Sequence, residues 1–355
     1  MTNLDSPEEI SALDSKNILA SIEKLPDQVE QGWNDLKSAR VPQECHIARN
    51  VVVSGMGGSA LGGRIVDSLM EDKVRSPIEV FTEFRLPDYV NQNTFVILCS
   101  YSGNTEETLA VAHETLNRGA SAFVITTGGK LKDFMEEHHL SGLIVDPKNN
   151  PSEQPRMGLG YPIIATLAAL AKCGFINLLD SEISEVVASA RKVVAQFGID
   201  IPTSENTAKK IAQDLYQKIP VLVASEHLVG AAHAFKNQLN ENSKTFATLF
   251  DLPELNHHLM EGLSHPSCLK DNLKFLFLES EYYTKEVQLR YPITQEVVEK
   301  QGIDSISYSF KEKRKLPQIF ESLILGSYIS FYLAMLNGED PAPIPWVDYF
   351  KSKLS

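Results

Sequence analysis

Basic residues are in short supply. Lysine and arginine total 33 against 46 aspartates and glutamates, a formal net charge of −13 over 355 residues. A field of that sign repels polyanions and argues against a nucleic-acid or anionic-membrane partner. Cysteine is scarce as well: Cys45, Cys99, Cys173 and Cys268 are scattered with no metal-type pairing, and Cys99 and Cys173, in apolar runs, read as buried thiols. No apolar run reads as long enough to span a bilayer, and the acidic start Met1-Thr2-Asn3-Leu4-Asp5 has no apolar signal core. These absences lead us to expect a reduced, cytoplasmic protein. Also missing is the Gly-Lys-Ser/Thr of a P-loop, and the first glycines of the glycine-rich stretch lack Gly-x-Gly-x-x-Gly spacing.

What is present is organised around Val51 to Arg64. The β-branched run Val51-Val52-Val53 leads into Ser54-Gly55-Met56-Gly57-Gly58-Ser59, and Ala60 to Leu69 reads as a helix. Glycine lets backbone approach a ligand, and a helix N-terminus with unpartnered N–H groups attracts anions, phosphate above all. A close-packed strand–helix corner without ligand would need the same residues. Ahead of it, Ser6-Pro7-Glu8-Glu9 signals a helix start, and Ile18, Leu19, Ile22 and Leu25 mark a short helix stopped by Pro26.

From His46 onward strands and helices alternate. Strands are expected at Asn50–Ser54, Ile78–Phe81, Thr94–Ser100, Ala122–Thr126 and Leu143–Val145, with a helix at Glu106–Asn117. Phe175 to Ile201 is the best candidate for an interdomain link. A second alternating series follows, with strands at Ile219–Ala224, Phe246–Thr248, Lys274–Leu278 and Ser305–Phe310 and an apolar helix at Leu316–Leu336. This pattern implies α/β architecture, parallel sheets with helices on both faces, in two halves of similar length. Ligands of such sheets bind beyond the carboxyl ends of the strands.

Candidate chemistry gathers in a few places. Ser100 to Thr108 offers hydroxyls, a glycine and backbone amides at a second strand–helix corner, able to surround a phosphate without a lysine. Thr105 at the N-cap with Glu106 and Glu107 would equally serve plain helix capping. The run Lys236 to Lys244 is densely polar. It reads either as a solvated face or as a base, Glu241, held by hydrogen bonds for proton abstraction beside a carbonyl. His257 and His258 follow; adjacent histidines point apart, which disfavours a metal pair and leaves an acid–base role. Arg156, just before an apolar helix, is a surface residue or a group that neutralises charge on a substrate oxygen.

Together and in this order, Gly55–Ala60, Ser100–Thr108, Pro155-Arg156, Asn237–Lys244 and Pro253–His257 resemble the bifunctional phosphoglucose/phosphomannose isomerase family, from about Asp14 to Lys351. The resemblance implies two sugar isomerase (SIS) domains, each a mostly parallel flavodoxin-like sheet flanked by helices. It places N-terminal helices at 1–45, the first domain at 46–195 and the second at 196–338. Residues 339–355 would return to the active site. Ser59, Ser100, Ser102 and Thr105, with the Gly57 and Gly58 backbone, would hold a sugar phosphate. Glu241 would move the proton between C1 and C2 and Arg156 would steady the enediolate oxygen. His257, supplied by the neighbouring subunit of an obligate homodimer, and Lys351 would serve ring opening. No metal or other cofactor is implied. The chain departs from the family pattern at His258 and Leu259, where an Asn-Glu pair is common, and at Ala342, where threonine is often seen. Rival readings are an isomerase confined to the glucose pair and a non-catalytic sugar-phosphate sensor.

Overall fold

A strand covered by helices on both faces must be apolar throughout, and Val51-Val52-Val53 meets that demand at the centre of β1 (Asn50–Ser54). The computed structural model describes residues 2–70, 74 and 76–354. In it β1 lies between β2 (Ile78–Phe81) and β3 (Thr94–Ser100), with β4 (Ser121–Thr126) and β5 (Ser141–Ile144) beyond β3. Every pairing in this sheet is parallel; Val51 stands opposite Ile78 on one side and Phe95 on the other. A second parallel sheet holds β6 (Ile219–Ala224), β7 (Thr248–Asp251), β8 (Leu273–Glu279) and β9 (Asp304–Ser309) in the order β7-β6-β8-β9. That order repeats β2-β1-β3-β4, so the duplicated α/β architecture expected from the alternation is present. In each sheet the direction of strand addition reverses beside the first strand, where ligands bind in folds of this kind.

The halves are joined by helices. Gly58–Met70, which follows β1, crosses Val229–Glu241, which follows β6. At the crossing Gly230 has no room for a side chain: a Cβ there would lie 2.4 Å from the Arg64 carbonyl oxygen. Asp180–Phe197, inside the expected interdomain link, packs on both Leu25–Ser38 and Lys315–Asn337.

The structure corrects the sequence reading at several points. Lys315–Asn337 is, by length and composition, able to cross a membrane, but its apolar stretch is wholly buried inside the protein as a core helix. Cys173 is no free thiol: it is joined to Cys45 in a disulfide, while Cys99 is buried and free and Cys268 exposed and free. Pro26 does not end a segment so much as open one, Leu25–Ser38, where its missing N–H falls in the first turn. The expected strand Phe246–Thr248 begins only at its last residue. Phe246 is exposed, the Ala247 carbonyl accepts from Asn240 Nδ2, and ladder pairing starts with Thr248 opposite Val221.

Candidate active site

The carboxyl ends of β1 and β3 form one wall. Beyond β1 the chain turns through Gly57, at φ +52°, and enters the Gly58–Met70 helix with Ser59 in its first turn. The buried Ser59 hydroxyl accepts from the Tyr101 N–H at 2.9 Å, stitching this corner to the next. Ser100, also buried, ends β3; its Oγ accepts from Gly103 N–H at 3.1 Å and lies 2.8 Å from Thr105 Oγ1. Thr105 occupies the N-cap of Glu106–Asn117 with extended backbone, yet its side chain makes no capping hydrogen bond and is paired with Ser100 instead. Plain capping therefore does not account for it. Ser102 is exposed on the same loop. The corner thus presents hydroxyls together with the free N–H groups of a helix start, a cradle suited to a phosphate dianion.

The second sheet has the corresponding corner, and it is closed. Ser280 lies just past β8 and Thr284 at the N-cap of the next helix, much as Ser100 ends β3 and Thr105 stands at its helix's N-cap, but Glu226 Oε1 accepts from both the Thr284 N–H and its Oγ1 at 2.8 Å. Ser280 donates to Gln318 Oε1 at 2.7 Å. A carboxylate of the chain itself sits where an anion would.

Arg156 and Glu241 form a second cluster, tied to the corner through the backbone at 155–156. A Cβ on Gly58 would lie 3.0 Å from the Pro155 carbonyl carbon and oxygen, so the arginine's segment rests on the helix that begins at the serine corner. Arg156 is 2% exposed. Of its five N–H donors, Nε donates to Asn242 Oδ1 (2.6 Å), Nη2 to the Pro341 and Ala342 carbonyls (2.9 and 2.8 Å) and Nη1 to Gln154 Oε1 (2.9 Å). Among the described residues one N–H is left without a hydrogen bond, on Nη1, the atom that lies 3.6 Å from Glu241 Oε2. Burial pushes the guanidinium pKa down and Glu241 opposes that shift.

Glu241 is the last residue of the Val229–Glu241 helix and is partly buried. Desolvation raises its pKa, against the pull of Arg156, Lys244 and Lys351. The polar run around it is not a solvated face, because Gln238, Asn242 and Ser243 are all buried. Gln238 Nε2 donates to the Arg156 carbonyl at 3.2 Å and Asn242 Nδ2 to Ser330 Oγ at 3.1 Å, fixing the pair against the long core helix. Lys351, on the exposed helix Pro345–Leu354, stands within electrostatic reach of Glu241. His257 is exposed on Leu255–His258 after β7, and among the described residues its side chain has no hydrogen bond or ion pair with this cluster. Gln154 was not singled out from sequence; Asn242 and Lys244 were named only as members of the polar run and the 340–342 backbone only within the returning C-terminal segment.

The sequence profile of the bacterial phospho-glucose isomerase C-terminal SIS domain matches residues 204–354. A bifunctional phosphoglucose/phosphomannose isomerase from Caldicellulosiruptor bescii is 33% identical over 94% of this chain and 98% of its own length. One from Thermoplasma acidophilum is 30% identical over 86% and 90%. The chain belongs to the bifunctional phosphoglucose/phosphomannose isomerase family. Solved structures share the fold at low identity. A hypothetical protein from Thermus thermophilus has a TM-score of 0.75 at 17% identity, covering 98% of this chain and 93% of its own. The C-terminal domain of glucosamine-fructose-6-phosphate aminotransferase from Francisella tularensis gives 0.67 at 14%, covering 92% and 98%.

Proposed function

We propose that this chain interconverts fructose 6-phosphate with glucose 6-phosphate and mannose 6-phosphate through an enediolate, without a metal. The observation that carries the reading is the Arg156–Glu241 pair, a carboxylate with a raised pKa beside a buried guanidinium, on a segment that packs against the helix starting at the hydroxyl corner.

The sugar phosphate binds to Ser59, Ser100, Ser102 and Thr105 and to the backbone at Gly57 and Gly58. Binding energy at this end holds C1 and C2 near the base. Glu241 removes a proton from one carbon and returns it to the other. The negative charge that develops on the carbonyl oxygen is met by the remaining Nη1 N–H of Arg156, which is already fixed in place and needs no reorganisation. Reprotonation of C2 from one face gives glucose 6-phosphate and from the other mannose 6-phosphate. Lys351 and a histidine, His257 of a neighbouring copy in a homodimer, serve ring opening and hydroxyl proton transfer. The exposure of His257 away from its own chain's cluster supports that sharing. Ala342 contributes its carbonyl to Arg156, a contact that any residue there could make, so the missing threonine leaves the arginine's setting intact.

The test is incubation of fructose 6-phosphate with the purified protein in EDTA, with both aldose 6-phosphates resolved. Both products support the reading. Glucose 6-phosphate alone narrows it to one substrate pair, and binding without product replaces it with a sensor.

A further inference from the structure

We infer that Lys244 is a positioning residue for the Glu241–Arg156 pair, clamping the end of the Val229–Glu241 helix to the turn at 340–342. This inference rests on the isomerase reading above. The Lys244 ammonium donates to three carbonyl oxygens: Glu241 at 3.0 Å, Asn242 at 3.1 Å and Asp340 at 2.8 Å. The first two lie at the end of a helix, where carbonyls lack intrahelical partners. The third is the start of a run of three. Asp340 gives its carbonyl to Lys244, and Pro341 and Ala342 give theirs to Arg156 Nη2. Two cations that flank Glu241 therefore grip one short stretch of backbone from two sides. If the turn shifts, the guanidinium shifts with it, and Lys244 is what ties the turn to the residue bearing the base.

The turn is braced elsewhere as well. Asp340 Oδ2 accepts from Ser15 Oγ and Oδ1 from the Ala342 N–H, while Asn337 Nδ2 donates to the Ser243 carbonyl at 2.9 Å. Lys244 has φ +53°, an uncommon conformation for a residue with a side chain, at the reversal where the chain leaves the helix. The same turn leads into the helix that carries Lys351.

The rival reading is an ordinary helix C-cap, since lysines often satisfy the last carbonyls of a helix. Electrostatics separates the two. The charged groups facing the Lys244 ammonium are Arg156, Glu241, Glu339 and Asp340, and those facing Glu241 are Arg156, Lys244 and Lys351. Lys244 thus holds the Glu241 pKa down, and removing its charge moves that pKa up.

The experiment begins with the wild-type protein and fructose 6-phosphate. Absence of isomerisation there would refute the isomerase reading itself. With an active wild type, Lys244→Met and Lys244→Arg are compared across pH. We expect Lys244→Met to lower kcat about 10–100-fold, the scale of a displaced catalytic group. KM should stay within about twofold because the phosphate corner is untouched. The acid limb of kcat/KM should move to higher pH, and Lys244→Arg should restore most of kcat and return the limb. A Lys244→Met protein with wild-type kcat and acid limb overturns the inference. So does a loss of kcat with an unmoved limb and no rescue by arginine, which is the behaviour of a helix cap. Should Lys244→Met fail to fold, Lys244→Gln, which keeps N–H donors without the charge, decides by whether its acid limb moves.

Discussion

At position 241 several effects act on one carboxylate. The residue closes a helix, so it faces the negative end of the helix dipole, which disfavours ionisation. Burial acts in the same direction, and Arg156, Lys244 and Lys351 oppose both without fully cancelling them. The net upward shift suits a base that must release its proton again on every turnover. Replacing Glu241 with glutamine should therefore lower kcat by ~10²–10⁴-fold, measured by following both aldose products. The same shift has a consequence for stability. A carboxyl whose folded pKa is raised is stabilising in its protonated form below the unfolded value, and that contribution is lost as pH rises through the folded value. Glu241→Gln, which mimics the protonated form, should melt above wild type at neutral pH. The gap should close as pH falls through the raised pKa, and a scan of thermal midpoint against pH checks the sign. Glu241 and Arg156 were legible in the sequence because each stands in a run whose residue types suit its chemistry. Lys244 was read only as one member of the run around Glu241, since its partners are backbone carbonyls, which no residue name advertises. Gln238 and Asn242 stayed ambiguous for a different reason: polar side chains fit a solvated face as well as a held base until a buried guanidinium and carbonyl give them partners.

Among the elements, the strands were the most legible part of the chain. Parallel strands covered on both faces need unbroken apolar runs, and β1, β3 and β6 show them with the residue bounds expected. β7 was displaced because its residues are only half buried and Phe246, the most apolar-looking signal nearby, points outward. The disulfide escaped because Cys45 and Cys173 are 128 residues apart and only the packing of the fold brings them together. Most informative is the start of the Gly58–Met70 helix. There the glycine matters by contact rather than by conformation: a Cβ on Gly58 would lie 3.0 Å from Pro155 carbonyl atoms and 3.2 Å from the Arg156 nitrogen, so that backbone would have to give by a few tenths of an ångström. Gly58→Ala should push the 155–156 segment off the helix and misplace the guanidinium. We expect kcat to fall by roughly 10-fold or more, since displacement of a positioned group by a fraction of an ångström is felt directly. Steady-state kinetics on the folded variant would show this, and unchanged kcat would mean that the segment moves without carrying the guanidinium with it.

At the scale of the whole molecule, the duplicated plan divides the work unequally. The first half supplies an open anion corner and the second supplies Glu241, and the helices that follow β1 and β6 cross closely at Gly230. The second half keeps the outline of the same corner, with Ser280 and Thr284 in place, but fills it from within through Glu226. An anion entering there would have to displace a carboxylate already held by two hydrogen bonds and would meet its charge. Calorimetric titration with fructose 6-phosphate should therefore saturate at one equivalent per chain, although the fold offers two corners. Paired substitutions make the same point residue by residue. Thr105→Val should weaken fructose 6-phosphate binding and raise KM, because it removes a hydroxyl from the open corner. Thr284→Val removes the equivalent hydroxyl from the closed one; it should leave KM unchanged and cost about 1 kcal/mol of stability, as loss of a helix-start hydrogen bond does. Binding lost equally in both variants, or a titration that ends at two equivalents, would mean that Glu226 yields its place to substrate and that the two halves are alike in function as well as in topology.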